Sequence, residues 1–271
     1  MSTKGIYTAL SGAIAQNNKL DTVANNIANS NTSGFKRDQQ VFREYLTANE
    51  KLPDVIQVPK IPASIESFYD MQGADRGFVE TAGSYTDFAQ GGLVPTGNSL
   101  DFGLEGEGFY EVLTPQGVRL TRTGSLSIDN DGRLVTKTGY PILKAGANGG
   151  DPEQRVIKVD GSRLTASYSG EIFEKEDSLG KLSVVTVNNV DSLQKVGNSL
   201  YALKPNYNAE LLPAPEYKVH QGFVEGSNVN IVKEMTDMIA ATRTFEANQK
   251  SIQAFDKMDE KLNNEVPRLR G

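Results

Sequence analysis

The chain has 271 residues, no cysteine, no tryptophan and one histidine, His220, with 28 Lys and Arg against 34 Asp and Glu for a net charge of −6. The length allows one large or two medium domains. Zero cysteine removes disulfides, thiolate nucleophiles and Cys-ligated metals; a single histidine rules out an HExxH zinc motif; the acidic balance excludes nucleic acid as the main partner.

At the N-terminal end Ile6, Ala13, Leu20 and Ile27 recur every seventh residue, and Leu10, Asn17 and Ala24 follow the first three by four. This spacing predicts an amphipathic helix with a coiled-coil seam. The period runs through Ala13-Ile14-Ala15, which imitates a cleavage site, and Tyr7, Thr8, Ser11 and Gly12 interrupt any continuous apolar core, so a cleaved signal peptide is not expected. Asn29-Ser30-Asn31-Thr32-Ser33-Gly34 ends the helix, with Asn29 and Asn31 as capping candidates. Gly34 is expected to take a positive φ and Phe35 to anchor the returning chain. Asn25 and Asn26 lie inside the stripe, where capping does not account for them; they read as amides that fix register between subunits. A second short helical run is expected over 35–46.

Pro53, Pro59 and Pro62 make 47–79 an extended connector. Over 80–221 short β-type runs alternate with turn residues, which predicts an antiparallel β domain, barrel-like or sandwich-like. A strand at 109–113 turns at Thr114-Pro115-Gln116-Gly117; one at 125–128 turns at Asp129-Asn130-Asp131-Gly132; further strands are expected at 182–187 and 199–203. Gly106 and Gly108 lack the G-x-G-x-x-G spacing of a dinucleotide loop and read as a tight turn before Phe109. The Asp129 run is not a calcium loop, because Leu134 and Tyr140 stand where that loop needs Gly and Glu.

At the C-terminal end Ile231, Met238, Phe245 and Ile252 are again seven apart, with Met235, Thr242 and Gln249 at the offset of four, before the stripe shifts to Phe255, Met258 and Leu262. Ser227, Asn228 and Asn230 are N-cap candidates, and Pro267 ends the helix near residue 263, leaving a tail at 264–271. Residues 1–46 hold five basic and three acidic groups, and 222–271 seven basic and eight acidic, so the middle carries a net −7.

The expected architecture is α+β: segments 1–46 and 222–263 form a helical core domain as an antiparallel coiled coil, with an antiparallel β-rich domain inserted between them. A three-heptad helix is marginal alone in water. Both stripes are broader than one seam, flanked by Ile14 and Val23 in the first and by Val232, Ile239 and Met258 in the second. Subunit packing is therefore assigned to Ile6, Leu10, Ala13, Leu20, Asn25, Asn26, Ile27, Ile231, Met235, Met238, Phe245 and Ile252, in an open head-to-tail assembly. No catalytic residue, cofactor, metal or small-molecule substrate is assigned. His220 reads as a structural or surface histidine.

Several segments carry a resemblance. Ile6-Tyr7-Thr8-Ala9-Leu10-Ser11-Gly12, Ala24-Asn25-Asn26-Ile27-Ala28-Asn29 and Gly34-Phe35-Lys36 resemble the N-terminal signature of bacterial flagellar basal-body rod and hook proteins. So do Tyr85-Thr86-Asp87-Phe88, Gly91-Gly92-Leu93, Thr96-Gly97-Asn98-Ser99-Leu100-Asp101, Glu105-Gly106-Glu107-Gly108-Phe109 and Gly132-Arg133-Leu134-Val135 with Gly139-Tyr140-Pro141. Glu225-Gly226-Ser227-Asn228-Val229-Asn230 and the helix bearing Met235, Met238, Arg243, Phe245 and Glu246 complete it, while 144–218 matches only loosely. The resemblance implies a torque-carrying structural subunit that polymerises through its terminal helices with copies of itself and with other axial rod and hook proteins. It also implies export through the flagellar type III apparatus without a cleaved signal, and a place in the basal body spanning the periplasm. Within the family, the Glu225–Asn230 form is more similar to the proximal rod type than to the distal rod or hook-like types. A competing class, a peptidoglycan-acting module using Glu105 and Glu107, rests on two carboxylates in a Gly-flanked run that does not place them across a cleft.

Overall fold

The computed structural model describes residues 2–46, 77–146, 151–160, 164–205, 207 and 209–265. The fold is α+β, with a helix at each end and antiparallel strands between. Helix α1 spans Ser2–Ala28 and helix α2 Ile231–Glu265. No helix among the described residues is long and apolar enough to cross a membrane. The chain divides into two compact units, one of Met1–Asn25, Asp38–Tyr85 and Val232–Gly271, the other of Asn26–Arg37 and Thr86–Ile231.

In the first unit the less exposed positions of α1 include Gly5, Ala9, Gly12, Gln16, Lys19 and Val23, and those of α2 include Met238, Ala241, Phe245, Asn248, Ile252 and Phe255. Both sets follow the alternating three- and four-residue spacing of a helix seam. A Cβ placed on Gly5 would lie 2.5 Å from Cζ of Phe255, and one on Gly12 would lie 3.1 Å from Nδ2 of Asn248. The backbone of α1 thus comes directly against side chains of α2 at two points. The seam of α2 includes Met238, Phe245 and Ile252 but swings away from Ile231 and Met235, which are exposed.

The same unit holds strands β1 (Asp38–Leu46) and β2 (Gly77–Thr86), which form a two-stranded sheet. The helical run expected over 35–46 is therefore wrong: 38–46 is a strand. Val41, Phe42 and Tyr45 favour an extended backbone, and a partner strand more than 30 residues on, about which local periodicity carries nothing, supplies the hydrogen bonds. Tyr85 donates from its hydroxyl to Oε1 of Gln39 at 2.7 Å across the pair. The extended connector lies outside the described residues over 47–76.

The second unit contains β3 (Leu93–Pro95), β4 (Phe102–Gly106), β5 (Phe109–Thr114), β6 (Gly117–Thr121), β7 (Leu126–Ile128) and β8 (Leu134–Thr136). It continues with β9 (Leu164–Ala166), β10 (Glu171–Glu174), β11 (Asp177–Lys181), β12 (Val184–Val187), β13 (Leu193–Gly197) and β14 (Leu200–Leu203). Strands β15 (Leu211–Pro213), β16 (Tyr217–Gln221) and β17 (Phe223–Glu225) close it. The largest sheet has the order β13-β14-β6-β5-β12-β15; β9, β10 and β11 form another, and β16-β4, β17-β3 and β7-β8 pair separately. The β5–β6 and β7–β8 hairpins turn at the two segments expected, with Gly117 at φ 106° and Gly132 at φ 70°.

Strand β5 is buried on both faces. Tyr110 and Val112 join a core of Phe102, Leu104, Leu134, Ile142, Ile172 and Leu182, while Phe109 packs with Leu120, Val187, Leu193 and Tyr201 on the other side. The Tyr110 hydroxyl donates to the carbonyl of Phe102 at 3.0 Å, and burial pushes its pKa far above the ordinary tyrosine value. Ile172 has no exposed surface, whereas Leu212 on β15 is 44% exposed. Truncating Ile172 removes buried methyl groups and leaves a cavity, so Ile172→Ala is expected to lower stability by about 2–5 kcal/mol and Leu212→Ala by less than about 0.5 kcal/mol in urea unfolding of the full chain.

Candidate assembly junction at the roots of the terminal helices

The segment leaving α1 and the segment entering α2 are both fastened in the second unit, around one carboxylate. Glu225 closes β17 with its side chain fully buried. Its Oε1 accepts from Nζ of Lys36 at 2.7 Å and from the backbone N–H of Gly91 at 2.9 Å, and its Oε2 accepts from Nε of Arg122 at 2.6 Å. The Glu225 carbonyl accepts from the N–H of Gly34 at 2.8 Å. Lys36 also donates to the carbonyl of Ala89 at 2.8 Å, and Arg122 donates to the carbonyls of Gly106 and Gly108.

Local backbone makes this convergence possible. Gly34 has φ 70°, and a Cβ there would lie 2.7 Å from the backbone N of Thr123; at Gly91 a Cβ would lie 2.1 Å from the carbonyl oxygen of Gly226. Only glycine lets these main chains approach so closely. Gly106 (φ 97°) and Gly108 (φ 138°) turn their carbonyls toward the Arg122 guanidinium. Lys195 lies over the Phe35 ring at 4.2 Å and donates to the carbonyl of Lys36.

Asn228, read from sequence as a helix cap, binds three backbone groups instead. Its Oδ1 accepts from the N–H of Arg37 at 2.7 Å, and its Nδ2 donates to the carbonyls of Asp87 at 2.8 Å and Ala89 at 3.1 Å. The chain that returns from α1 is thus tied to the chain that feeds α2.

Two cations against one anion leave the cluster with an excess positive charge, spread over three carbonyls that accept from it. Burial holds the Lys36 ammonium below the ordinary lysine pKa, opposed by the Glu225 charge and hydrogen bond. Removing one partner of such a cluster strands a buried charge, which is far more damaging than losing an exposed pair.

The motif turn residues Gly34, Phe35, Gly106 and Gly108 therefore meet in one place. The other assigned residues lie along the helices: Ala13 and Asn26 are buried, Ile6, Leu20, Ile27, Met238, Phe245 and Ile252 half-buried, and Leu10, Asn25, Ile231 and Met235 exposed. Sequence reasoning missed Arg122 and the charged partnership of Lys36 with Glu225. Lys36 and Glu225 each stood at the edge of a quoted motif, whereas Arg122, between two threonines, gave no local signal.

His220 is half-buried and bonds Glu105 at 2.5 Å, with the Tyr168 and Phe223 rings edge-on to it. That hydrogen bond is the leading cause holding the Glu105 carboxyl below the usual carboxylate range. Glu105 is therefore engaged with a histidine and not opposed to Glu107 across a cleft. No cluster of three or more potential metal-ligating side chains occurs among the described residues.

Three family models match along the chain. Residues 6–36 match the flagella basal body rod protein model, 103–173 the D1 domain of flagellar hook protein FlgE/F/G, and 220–265 the C-terminal region of flagellar basal body rod FlgEFG proteins. The flagellar basal-body rod protein FlgG of Agrobacterium fabrum is 31% identical over 267 residues, covering 94% of this chain and 96% of its own length. The flagellar hook-basal body complex protein FlhO of Bacillus subtilis is 32% identical over 287 residues, covering 98% and 99%. The flagellar basal-body rod protein FlgF of Caulobacter vibrioides is 30% identical over 242 residues, covering 89% of each. The chain belongs to the flagellar basal-body rod protein family. It is a structural subunit of the flagellar rod and not an enzyme. The junction draws on all three matched segments or their flanks: Lys36 closes the first, Gly106 and Arg122 lie in the second and Glu225 in the third.

Glu225→Gln is expected to lower stability by about 3–5 kcal/mol, because Lys36 and Arg122 are left buried without their counter-charge. Lys36→Met is expected to cost less, since Arg122 still neutralises Glu225. The folded-state pKa of Lys36 is depressed, so at alkaline pH below about 10.4 the unfolded chain binds the extra proton and stability rises with pH through that window. Urea titrations of the two chains across this range test the sign: Lys36→Met should remove that upward slope.

Proposed function

We propose that α1 and α2 pair as an antiparallel coiled coil and that this pair is the polymerising part of the rod subunit. The observation that carries the reading is the register of the two close approaches. Gly5 meets Phe255 and Gly12 meets Asn248, a step of seven residues up one helix and seven down the other. Continued by one heptad, the same register sets Lys19 against Ala241, which is buried. Small residues on the α1 seam let the backbones approach, and aromatic or long residues on α2 fill the space.

In this reading the subunit assembles with copies of itself and with other axial rod and hook proteins, and torque enters and leaves the β-rich unit through the Glu225 cluster. The chain reaches its place through the flagellar type III export apparatus, keeping its N-terminal segment, and the rod it joins spans the periplasm. The form of the Glu225–Asn230 segment supports a proximal over a distal position.

A deletion strain is expected to lose motility and to lack the axial structure beyond the point where this subunit enters; a swimming deletion strain with intact basal bodies would sink the reading. Complementation with Gly12→Leu is expected not to restore swimming, because the added side chain has to displace Asn248, while Gly12→Ala should restore most of it. Swim-plate diameter reads both.

A further inference from the structure

The β-rich unit is closed by its last strands. Among the described residues β3 pairs with β17 alone and β4 with β16 alone, and in each pair the partner lies more than 100 residues further along the chain. We infer that residues 217–228 act as a latch. The segments around Lys36 and Arg122 and the strands β3 and β4 stay open until this stretch arrives, and its arrival fixes the exit from α1 and the entry to α2 in one event. The inference concerns how the chain folds and holds for any route that delivers it.

Three observations carry it. First, the segment stitches together parts of the unit that lie far apart in sequence. The Gln221 amide donates to the carbonyls of Ser99 and Leu164, each at 2.7 Å, and its Oε1 accepts from the N–H of Ala166 at 3.0 Å. Gly222 donates to the carbonyl of Asp101 and accepts from the N–H of Thr96, both at 2.8 Å, and Gly226 donates to the carbonyl of Gly92 at 2.8 Å. With the bonds of Glu225 and Asn228 described above, one short run holds 34–37, 87–106 and 164–166 in place.

Second, the core around β4 is completed by a residue that comes late. Val219 on β16 is 1% exposed, stands opposite Leu104 and joins the core that contains Phe102. The hairpins β5–β6, β7–β8, β10–β11 and β13–β14 instead close on neighbours in sequence. Loop-closure entropy opposes the distant pairings far more than these local ones, so the hairpins form first and β3 and β4 wait.

Third, charge opposes early closure. Lys36 and Arg122 are buried beside one anion, Glu225, and the Arg122 charge is among the influences that hold the Lys36 pKa down. Until residue 225 arrives, two like charges would have to leave water and meet without a counter-charge, which costs more than the local contacts return. The pair therefore resists closing on its own and closes on the carboxylate. A chain that emerges N-terminus first keeps the stretch from Gly34 to Gly106 open until Glu225 is free to join it.

Pulsed hydrogen exchange read by mass spectrometry, during refolding of the full chain from urea, tests the order. Peptides from 109–120 and 126–136 are expected to gain protection in an early phase. Peptides from 93–106 and 217–226 are expected to gain it together in a later phase, on the order of tenfold slower or more. Glu225→Gln is expected to slow the later phase on the order of tenfold and to leave the early one unchanged. Gln221→Ala keeps the charge cluster and is expected to slow the same phase by roughly three- to tenfold, which serves should Glu225→Gln not fold. Leu212→Ala, on the exposed edge of β15, is expected to change neither phase.

Protection of 93–106 in the early phase, ahead of 217–226, would overturn the latch, and so would a single phase common to all four peptides. A later phase that neither Glu225→Gln nor Gln221→Ala slows would overturn it as well, because the closing bonds would then form after the step that sets the rate.

Discussion

The segment that leaves α1 and the segment that enters α2 meet around one buried carboxylate. Glu225 pairs with both Lys36 and Arg122 away from water, and each of the three also bonds backbone: Lys36 to Ala89, Arg122 to Gly106 and Gly108, Glu225 to Gly91. Desolvating three charges is costly, and an apolar cluster of the same volume is often as stable. What ions add here is direction. An apolar contact is satisfied by sliding, whereas a carboxylate shared between an ammonium, a guanidinium and an amide holds its partners at fixed distance and angle. For a subunit under mechanical load, resistance to sliding is the useful property.

The charge distribution agrees with this division of labour. The ends are close to neutral, and the acidic excess sits in the middle. The N-terminal helix is free of charge from Gly5 to Asn18, whereas the C-terminal segment balances seven basic against eight acidic groups. Buried ions occur at the junction and again in the β-rich unit, where Glu111 pairs with Arg155.

The sequence made the helices legible because a seven-residue period repeats over several turns, and the hairpins because turn residues are local. It misplaced 38–46, where a strand exists through a partner on the far side of the connector. The α2 stripe read as Ile231, Met238, Phe245 and Ile252 with Met235 at the offset holds three half-buried positions, Met238, Phe245 and Ile252, and two exposed ones, Ile231 and Met235. Apolar periodicity reports the sum of all covered faces, and a helix with two of them has an average that points between. The motif residues around Gly34, Gly106 and Glu225 were visible one by one, but their meeting was not, since 189 residues separate Lys36 from Glu225. Arg122 could be found only in three dimensions.

The composition of the helix seam completes the argument. On the α1 side it contains Gly5, Gly12, Gln16 and Lys19, residues that bury little apolar surface, and each glycine weakens a helix interior by about 1 kcal/mol relative to alanine. A pair built from such a seam gains less from its own contact than one lined by leucine and isoleucine. On the α2 side Met238, Phe245, Ile252 and Phe255 are half-buried, while Tyr7, Leu10 and Ile14 on α1 and Val232, Met235 and Ile239 on α2 are exposed. Apolar area of that size contributes only when something covers it. Under the proposed polymerisation through the terminal helices, that exposed apolar surface is available to a neighbouring subunit, and the order of the helices and the growth of the polymer then draw on the same free energy.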